Sequence, residues 1–439
     1  MLERVTVDKS PVEVRIADAA YPVPFRPGLE YAAPARGTWN IAHTGMLLPQ
    51  GHEIFVCAAG CLRGVVLTAA EMGASDRFST IEVMENNVLE GDMERLIIDG
   101  VAAILSGLPK RPKAVLLYTS CIHHFMNCDL PLVYRELRRA HPDVAFTDCY
   151  MNPIMRKSGL TPDQLMRRQL YSLLETRSAS PENVAIIGND LATDETSELM
   201  ALTGWNHRVF DIARMDTYAQ YQMIATASLF LTTYPAAIPA GEMLAQRFGR
   251  PHIHLPMAFG YEALQQTIDR LADALGMPRV DHEAAQQECD EVLGALARRI
   301  RAAKIAIDYT AVTRPLGLAR LLVEHGMRVA RVYLDAVAPE EKQDFFWLRE
   351  NAPEILLQPT VHPMMRVLPR NEGTDILAIG QKAAYFTGTD RFVNIVEGGG
   401  HWGYDGIRRL TGEMADAWEN PKDAKSLIQI KGWGCGSCA

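Results

Sequence analysis

Apolar residues in this chain fall into short unbroken runs, and between the runs apolar positions recur at every third or fourth residue. Unbroken runs suit strands buried on both faces of a parallel sheet, and the wider spacing is the stripe of an amphipathic helix. The first set of runs is His52–Val56, Phe78–Val83, Lys113–Tyr118 and Val144–Cys149, with helical stretches at Leu62–Met72, Met93–Leu105 and Leu130–Ala140. A second set is Asn183–Gly188, His207–Ile212, Leu229–Thr233 and Pro251–Leu255. The third is Lys304–Tyr309, Met327–Leu334, Glu354–Gln358, Asp375–Ile379 and Phe392–Val396. Strand–helix alternation implies parallel sheets joined by right-handed crossovers.

The expected fold is therefore α/β, with three Rossmann-like parallel-sheet domains at residues 36–160, 161–300 and 301–430. The pattern Val280–Ala303 reads as a long helix joining the second to the third. Residues 1–35 contain Pro11, Pro22, Pro24, Pro27 and Pro34 and read as an irregular arm, because each proline fixes its backbone and removes a donor. Residues 431–439 form a cysteine-containing tail.

The chain has 439 residues, which suits several domains, and a hydrophobic content of 48%, which suits a globular protein. Its net charge of −9 argues against nucleic acid or an anionic membrane as partner. No apolar run approaches the ~20 residues of a membrane span, and the charged start carries no signal-peptide core. A cytoplasmic protein is expected. There, cysteines point to metal binding or catalysis more than to disulfides.

Ligands gather at the carboxyl ends of strands in open α/β sheets. Cys57 follows the first run and Cys61 opens the next helix. Cys121 follows the Lys113–Tyr118 run, and Cys128 lies in the loop before the next helix. Four thiols of one domain are thus expected along one sheet edge. Thiolates bind iron–sulfur clusters and zinc alike. A four-residue step followed by a distant cysteine fits neither a zinc ribbon nor a bacterial ferredoxin run.

The segment Val56-Cys-Ala-Ala-Gly-Cys-Leu-Arg-Gly-Val-Val-Leu resembles the central cluster-cysteine segment of nitrogenase component 1 proteins. Tyr118-Thr-Ser-Cys-Ile-His-His-Phe-Met-Asn-Cys-Asp-Leu resembles their second cluster segment, and Trp402-Gly-Tyr-Asp-Gly the turn opening their last long helix. The family includes nitrogenases, cofactor-assembly scaffolds, protochlorophyllide and nickel-tetrapyrrole reductases, and methylthio-alkane reductase. The resemblance implies an iron–sulfur cluster, either [4Fe–4S] or of the [8Fe–7S] P-cluster kind, with Cys61 and Cys121 at ligand positions. It also implies a paired homologous component 1 subunit in a heterotetramer, and an ATP-hydrolysing iron–sulfur reductase as electron donor.

The departures are informative. Gly37–Gly45 lacks the family's upstream ligand cysteine, Cys57 stands where no family ligand does, and Cys128 replaces an aspartate. The run Leu229-Phe-Leu-Thr-Thr-Tyr-Pro lacks the cysteine that holds the catalytic cofactor in nitrogenase, and Trp402 stands where the cofactor histidine aligns. This chain therefore reads as the beta-type subunit, with a nitrogenase-type iron–sulfur cofactor expected in the partner chain; His401, one position away, supports the opposite reading. The resemblance lies nearest to enzymes outside nitrogen fixation, with reductive carbon–sulfur cleavage leading.

Weaker candidates complete the picture. His123, beside Cys121, could ligate or tune a cluster, and His43 lies in a glycine-flanked turn. Cys149 reads as a core thiol and Cys289 as a bystander in a charged helix. Cys435 and Cys438 could bind metal, act as a redox pair, contact a partner, or lie in a flexible end.

Overall fold

The computed structural model describes residues 12–26, 28–30, 41–151, 159–189, 193–366, 370 and 375–428. Its strands are β1 (Val14–Arg15), β2 (Gly51–Cys57), β3 (Phe78–Glu82), β4 (Ala114–Ser120), β5 (Ala145–Met151), β6 (Ser180–Ile186), β7 (Arg208–Asp211), β8 (Ala227–Thr232), β9 (His252–His254), β10 (Lys304–Asp308), β11 (Arg328–Tyr333), β12 (Leu356–Gln358), β13 (Ile376–Ile379) and β14 (Phe392–Val393). They form three sheets, ordered β3-β2-β4-β5, β7-β6-β8-β9 and β1-β12-β11-β10-β13-β14. Among the described residues every pairing is parallel except β1 with β12.

Each apolar run named above contains a strand. The added element, β1, lies in the arm and pairs Val14 with Leu357 and Arg15 with Leu356. Proline density hides a two-residue strand from periodicity, because its hydrogen bonds come from a distant edge strand. Glu13 accepts from Gln358 Nε2 at 2.8 Å and reinforces that attachment.

The chain packs as two compact units. One comprises residues 38–196 and 200–256 and holds the first two sheets; the other comprises 1–37, 197–199 and 257–439 and holds the third. In the first unit, β2 and β4 are buried along their whole length. Alternate residues serve opposite faces. Phe55, Cys57, Leu116 and Tyr118 enter one core, and Ile54, Val56, Val115 and Leu117 enter another. Phe55 stacks on Tyr118 with centroids 4.0 Å apart and planes at 5°.

Beneath that stack, Tyr118 donates to Glu53 Oε1 at 3.1 Å and to the Ile41 carbonyl at 3.0 Å. A Cβ on Gly45 would stand 2.1 Å from the same carboxyl oxygen, so only glycine admits this contact. Burial pushes the Glu53 carboxyl well above its ordinary range, and it is held neutral. Among the described residues no helix is long and apolar enough to cross a membrane.

Candidate functional site: the cysteine edge

β2 ends at Cys57, and the helix Ala59–Glu71 begins two residues later with Cys61 in its first turn. β4 ends at Ser120, and the short helix Cys121–Phe125 begins at once. The parallel register, Val56 opposite Thr119, sets these two strand ends side by side. Cys57 is buried, Cys121 is half-buried and Cys61 is exposed. Burial first, then charge on Cys61 and Cys121, pushes the Cys57 thiol up to about 12. Cys61 and Cys121 therefore both lie within electrostatic reach of Cys57.

Cys128 stands apart. It packs on the opposite face of the same sheet, beside Ile122 and Leu130. Burial first, then the Glu94 carboxylate, pushes its thiol up to about 12. Glu94 also accepts from the Asp129 amide at 2.6 Å, which holds its own carboxyl below the usual range. The reason for the separation is local. Asn127 takes a φ of 52° and reverses the backbone between the helices Cys121–Phe125 and Leu130–Ala140, one residue before Cys128.

His123 is buried at the same edge. Its Nδ1 accepts from the Ser120 amide at 3.2 Å, and its Nε2 meets no partner among the described residues. Burial lowers its pKa, so the ring is neutral. His43 is half-buried on the helix Ile41–Gly45. Cys149 is buried in the core. Cys289 is buried too, donating to the Tyr404 carbonyl at 3.5 Å. Cys435 and Cys438 lie outside the described residues.

Can this edge hold a thiolate-ligated cluster? The helix Ala59–Glu71 has no side-chain cap at Ala58, and residues 58–61 are exposed. Its free N–H groups and positive dipole end favour an anion. A buried thiol with a high pKa becomes a thiolate when a cation replaces its proton. Among the described residues, no three His, Cys, Asp or Glu side chains converge on a single ion. Thiolates of a multi-iron cluster bind separate irons and need not converge on one ion, and thiols are the donors such a cluster takes. The donor set fits the cluster.

Several large apolar side chains are exposed on the elements that follow β2, β3 and β4. Met84 and Leu89 follow β3 with 63% and 76% of their surfaces exposed, and Phe125, at 68%, follows Cys121. Val66, Leu67 and Met126 are also exposed. Exposed apolar side chains that gather into a patch mark interaction surfaces.

The other unit offers one separate feature. His401 is buried at the end of a glycine turn whose Gly398, Gly399 and Gly400 have φ of 83°, 59° and 78°. Its Nε2 pairs with Glu413 at 3.1 Å, and its Nδ1 meets no partner among the described residues. A carboxylate on one ring nitrogen is the arrangement that orients a histidine to ligate through the other.

Glu94, Ser120 and Glu413 were not singled out from the sequence. Ser120 was detectable, since it precedes its histidine by one helical turn. Glu94 and Glu413 approach their partners through the tertiary fold and leave no local signal.

The family model for nitrogenase component 1 type oxidoreductases matches residues 54–419. No curated protein matches the sequence. A solved structure described as "Nitrogenase Cp1 at pH 6.5" superposes with a TM-score of 0.65 at 14% identity, covering 90% of this chain and 94% of that one. Another, "Nitrogenase Cp1 at pH 5", gives 0.59 at 12% identity, covering 93% and 94%. At such identities the likeness is one of fold.

Proposed function

We propose, from the premise that the chain belongs to the nitrogenase component 1 type oxidoreductase family, that it is the cluster-carrying subunit of a nitrogenase-like reductase. In this reading Cys57, Cys61 and Cys121 ligate an iron–sulfur cluster. What supports it is the placement of Cys57 at the end of β2, Cys61 in the uncapped first turn of the next helix and Cys121 just after β4, the strand paired with β2. The cluster supplies low-potential one-electron transfer when bound. The chain's own residues bury one side of the site, present thiolates, and offer free N–H groups to the negative charge. Cys128 belongs to the pair with Glu94 and serves the structure of the loop.

The exposed apolar surface of Met84, Leu89, Phe125 and Met126 is where a homologous component 1 subunit would seat, covering Cys61 and completing the ligand set. An ATP-hydrolysing iron–sulfur reductase would deliver electrons to the assembled pair, for a catalytic cofactor held by the partner. Reductive cleavage of carbon–sulfur bonds in methylthio-alkanes is the leading reaction. Dinitrogen or tetrapyrrole reduction, or service as an assembly scaffold, are the alternatives.

A second reading has one observation behind it. The His401–Glu413 pair leaves Nδ1 aimed for a ligand, which favours a cofactor held by this chain.

Anaerobic purification with the partner subunit, followed by iron and acid-labile sulfide analysis, tests the leading reading. Expected is bound iron in the native complex and in Cys128→Ser. An iron-free protein that still assembles would overturn it. Retention of the catalytic cofactor by the isolated chain, lost in His401→Ala, would establish the second reading.

A further inference from the structure

In the unit of residues 257–439, two tyrosines lie against each other between the helices Tyr261–Leu275, His282–Arg299 and Gly403–Glu419. Tyr404 is fully buried, and its ring centroid is 6.1 Å from that of Tyr261, with planes at 49°. This is ring contact at the separation favoured by aromatic pairs.

Each hydroxyl has a base. Tyr404 Oη lies 3.1 Å from His282 Nδ1, and His282 Nε2 lies 3.1 Å from Asp269 Oδ1. Gln286 Nε2 donates to Tyr404 Oη at 3.4 Å, which leaves the hydroxyl proton directed at His282. The carboxylate fixes the ring with Nε2 protonated and Nδ1 as acceptor. Asp269 is held by Arg279 at 2.6 Å, and its carboxyl stays below the usual range because of His282 and then Arg279. Tyr261 donates to Asp290 Oδ1 at 2.6 Å, and the same oxygen meets His325 Nε2 at 2.9 Å. Tyr261 also lines a cavity of about 220 Å³ with Glu262, Arg314 and Asp344.

Elsewhere the pattern breaks. Tyr221 and Tyr134 donate to backbone carbonyls, which cannot take a proton at neutral pH. Tyr150 donates to the Asp148 carboxylate but makes no ring contact with another aromatic side chain among the described residues.

A phenol loses an electron readily only if its proton can leave at the same time, because the oxidised phenol is a strong acid. A base within hydrogen-bond reach meets that need. We propose that Tyr404 and Tyr261 form a radical-transfer chain that carries oxidising equivalents from the interior of this unit to the cavity beside Tyr261. The oxidant is a one-electron species of the kind dioxygen produces at low-potential iron centres. Tyr404 gives it one electron and gives its proton to His282 Nδ1, forming a neutral phenoxyl radical beside an imidazolium held by Asp269. Tyr261 then gives an electron to that radical and its proton to Asp290, while Tyr404 recovers its proton from His282. At the cavity a small thiol reductant restores Tyr261: the thiol's electron reduces the radical, the phenol proton returns from Asp290, and the thiol's own proton passes to water, leaving a thiyl radical.

The proposed function supplies only the origin of the oxidant. The test replaces that oxidant, so the two ideas fail separately. The full chain, freed of iron, is photo-oxidised with a ruthenium polypyridyl complex, and the radical is followed by electron paramagnetic resonance. Expected is a tyrosyl signal quenched by added small thiol. Tyr261→Phe should shift the signal to Tyr404 and lengthen its life several-fold. His282→Gln should lower the yield several-fold at neutral pH with unchanged melting temperature. Tyr261→Phe and Tyr404→Phe combined, if the signal keeps its native yield and decay, would overturn the chain. So would a native signal that disappears in Tyr150→Phe, or a yield indifferent to His282→Gln.

Discussion

Two helix starts in this molecule have opposite chemistry. The helix Gly403–Glu419 opens against the Glu198 carboxylate, which accepts from the Asp405 amide at 3.1 Å and crowds Gly403 so closely that a Cβ there would collide. In the same unit Glu341 accepts from Leu316 and Gly317 amides at 2.7 and 3.1 Å, and Asp308 accepts from Thr310, Ala311 and Ala383. There the chain's own carboxyl groups fill the places where a bound anion would sit. The helix Ala59–Glu71 has no such carboxylate. Its cap position is alanine, its first turn is exposed and carries Cys61, and Cys57 immediately precedes the cap. The difference teaches where to look for function: at the end the fold leaves unsatisfied, not at the ends it has filled.

The largest expected effect removes a thiol from the open end. Cys61→Ala or Cys121→Ala should bring bound iron close to background in the purified complex, whereas Cys289→Ala should keep it, by metal analysis. Next, Glu198→Ala empties a filled end. It should cost about 1–3 kcal/mol in denaturant unfolding, and Glu198→Gln, which keeps an acceptor, much less.

Glu341 probes a filled end by pH. Burial pushes its carboxyl up to about 8. Between the ordinary carboxylate range and that value, the folded chain keeps a proton the unfolded chain has lost. Its contribution is complete at acid pH and falls as pH rises through the window, by on the order of a few kcal/mol. Glu341→Gln should flatten the fall in melting temperature between pH 5 and 8 (about the window set by those two values).

The smallest effect tests the comparison from the other side. Ala58→Asp gives the open helix the carboxylate it lacks. The iron-free chain should gain about 0.5–2 kcal/mol, and iron uptake should fall. A stabilised chain with undiminished iron would show that the empty cap is incidental.

Much of this was legible in the sequence. Buried parallel strands write themselves as unbroken apolar runs, so the three sheets could be read directly, and the helix Leu130–Ala140 has the bounds its spacing predicts. Cys57, Cys61 and Cys121 follow from strand ends. Cys128 shows the limit: sequence placed it along the edge, but which face it serves depends on the left-handed Asn127. Cys289 looked like a bystander because its helix is charged, yet it falls on the buried stripe. The Asp269–His282–Tyr404 alignment joins helices far apart in sequence, and no spacing rule reaches it.

The apolar side chains exposed after β3 and β4 have a consequence for the cell's housekeeping. Exposed Leu89 and Phe125 are the kind of surface that chaperones and proteases recognise on unfinished proteins. A copy made without its partner would carry that mark permanently. Pulse–chase labelling should therefore give a shorter half-life for the chain alone than beside its partner, and Leu89→Lys with Phe125→Lys should lengthen the solitary half-life. The supply of one subunit would then cap the amount of the other, with no regulator beyond the surface itself.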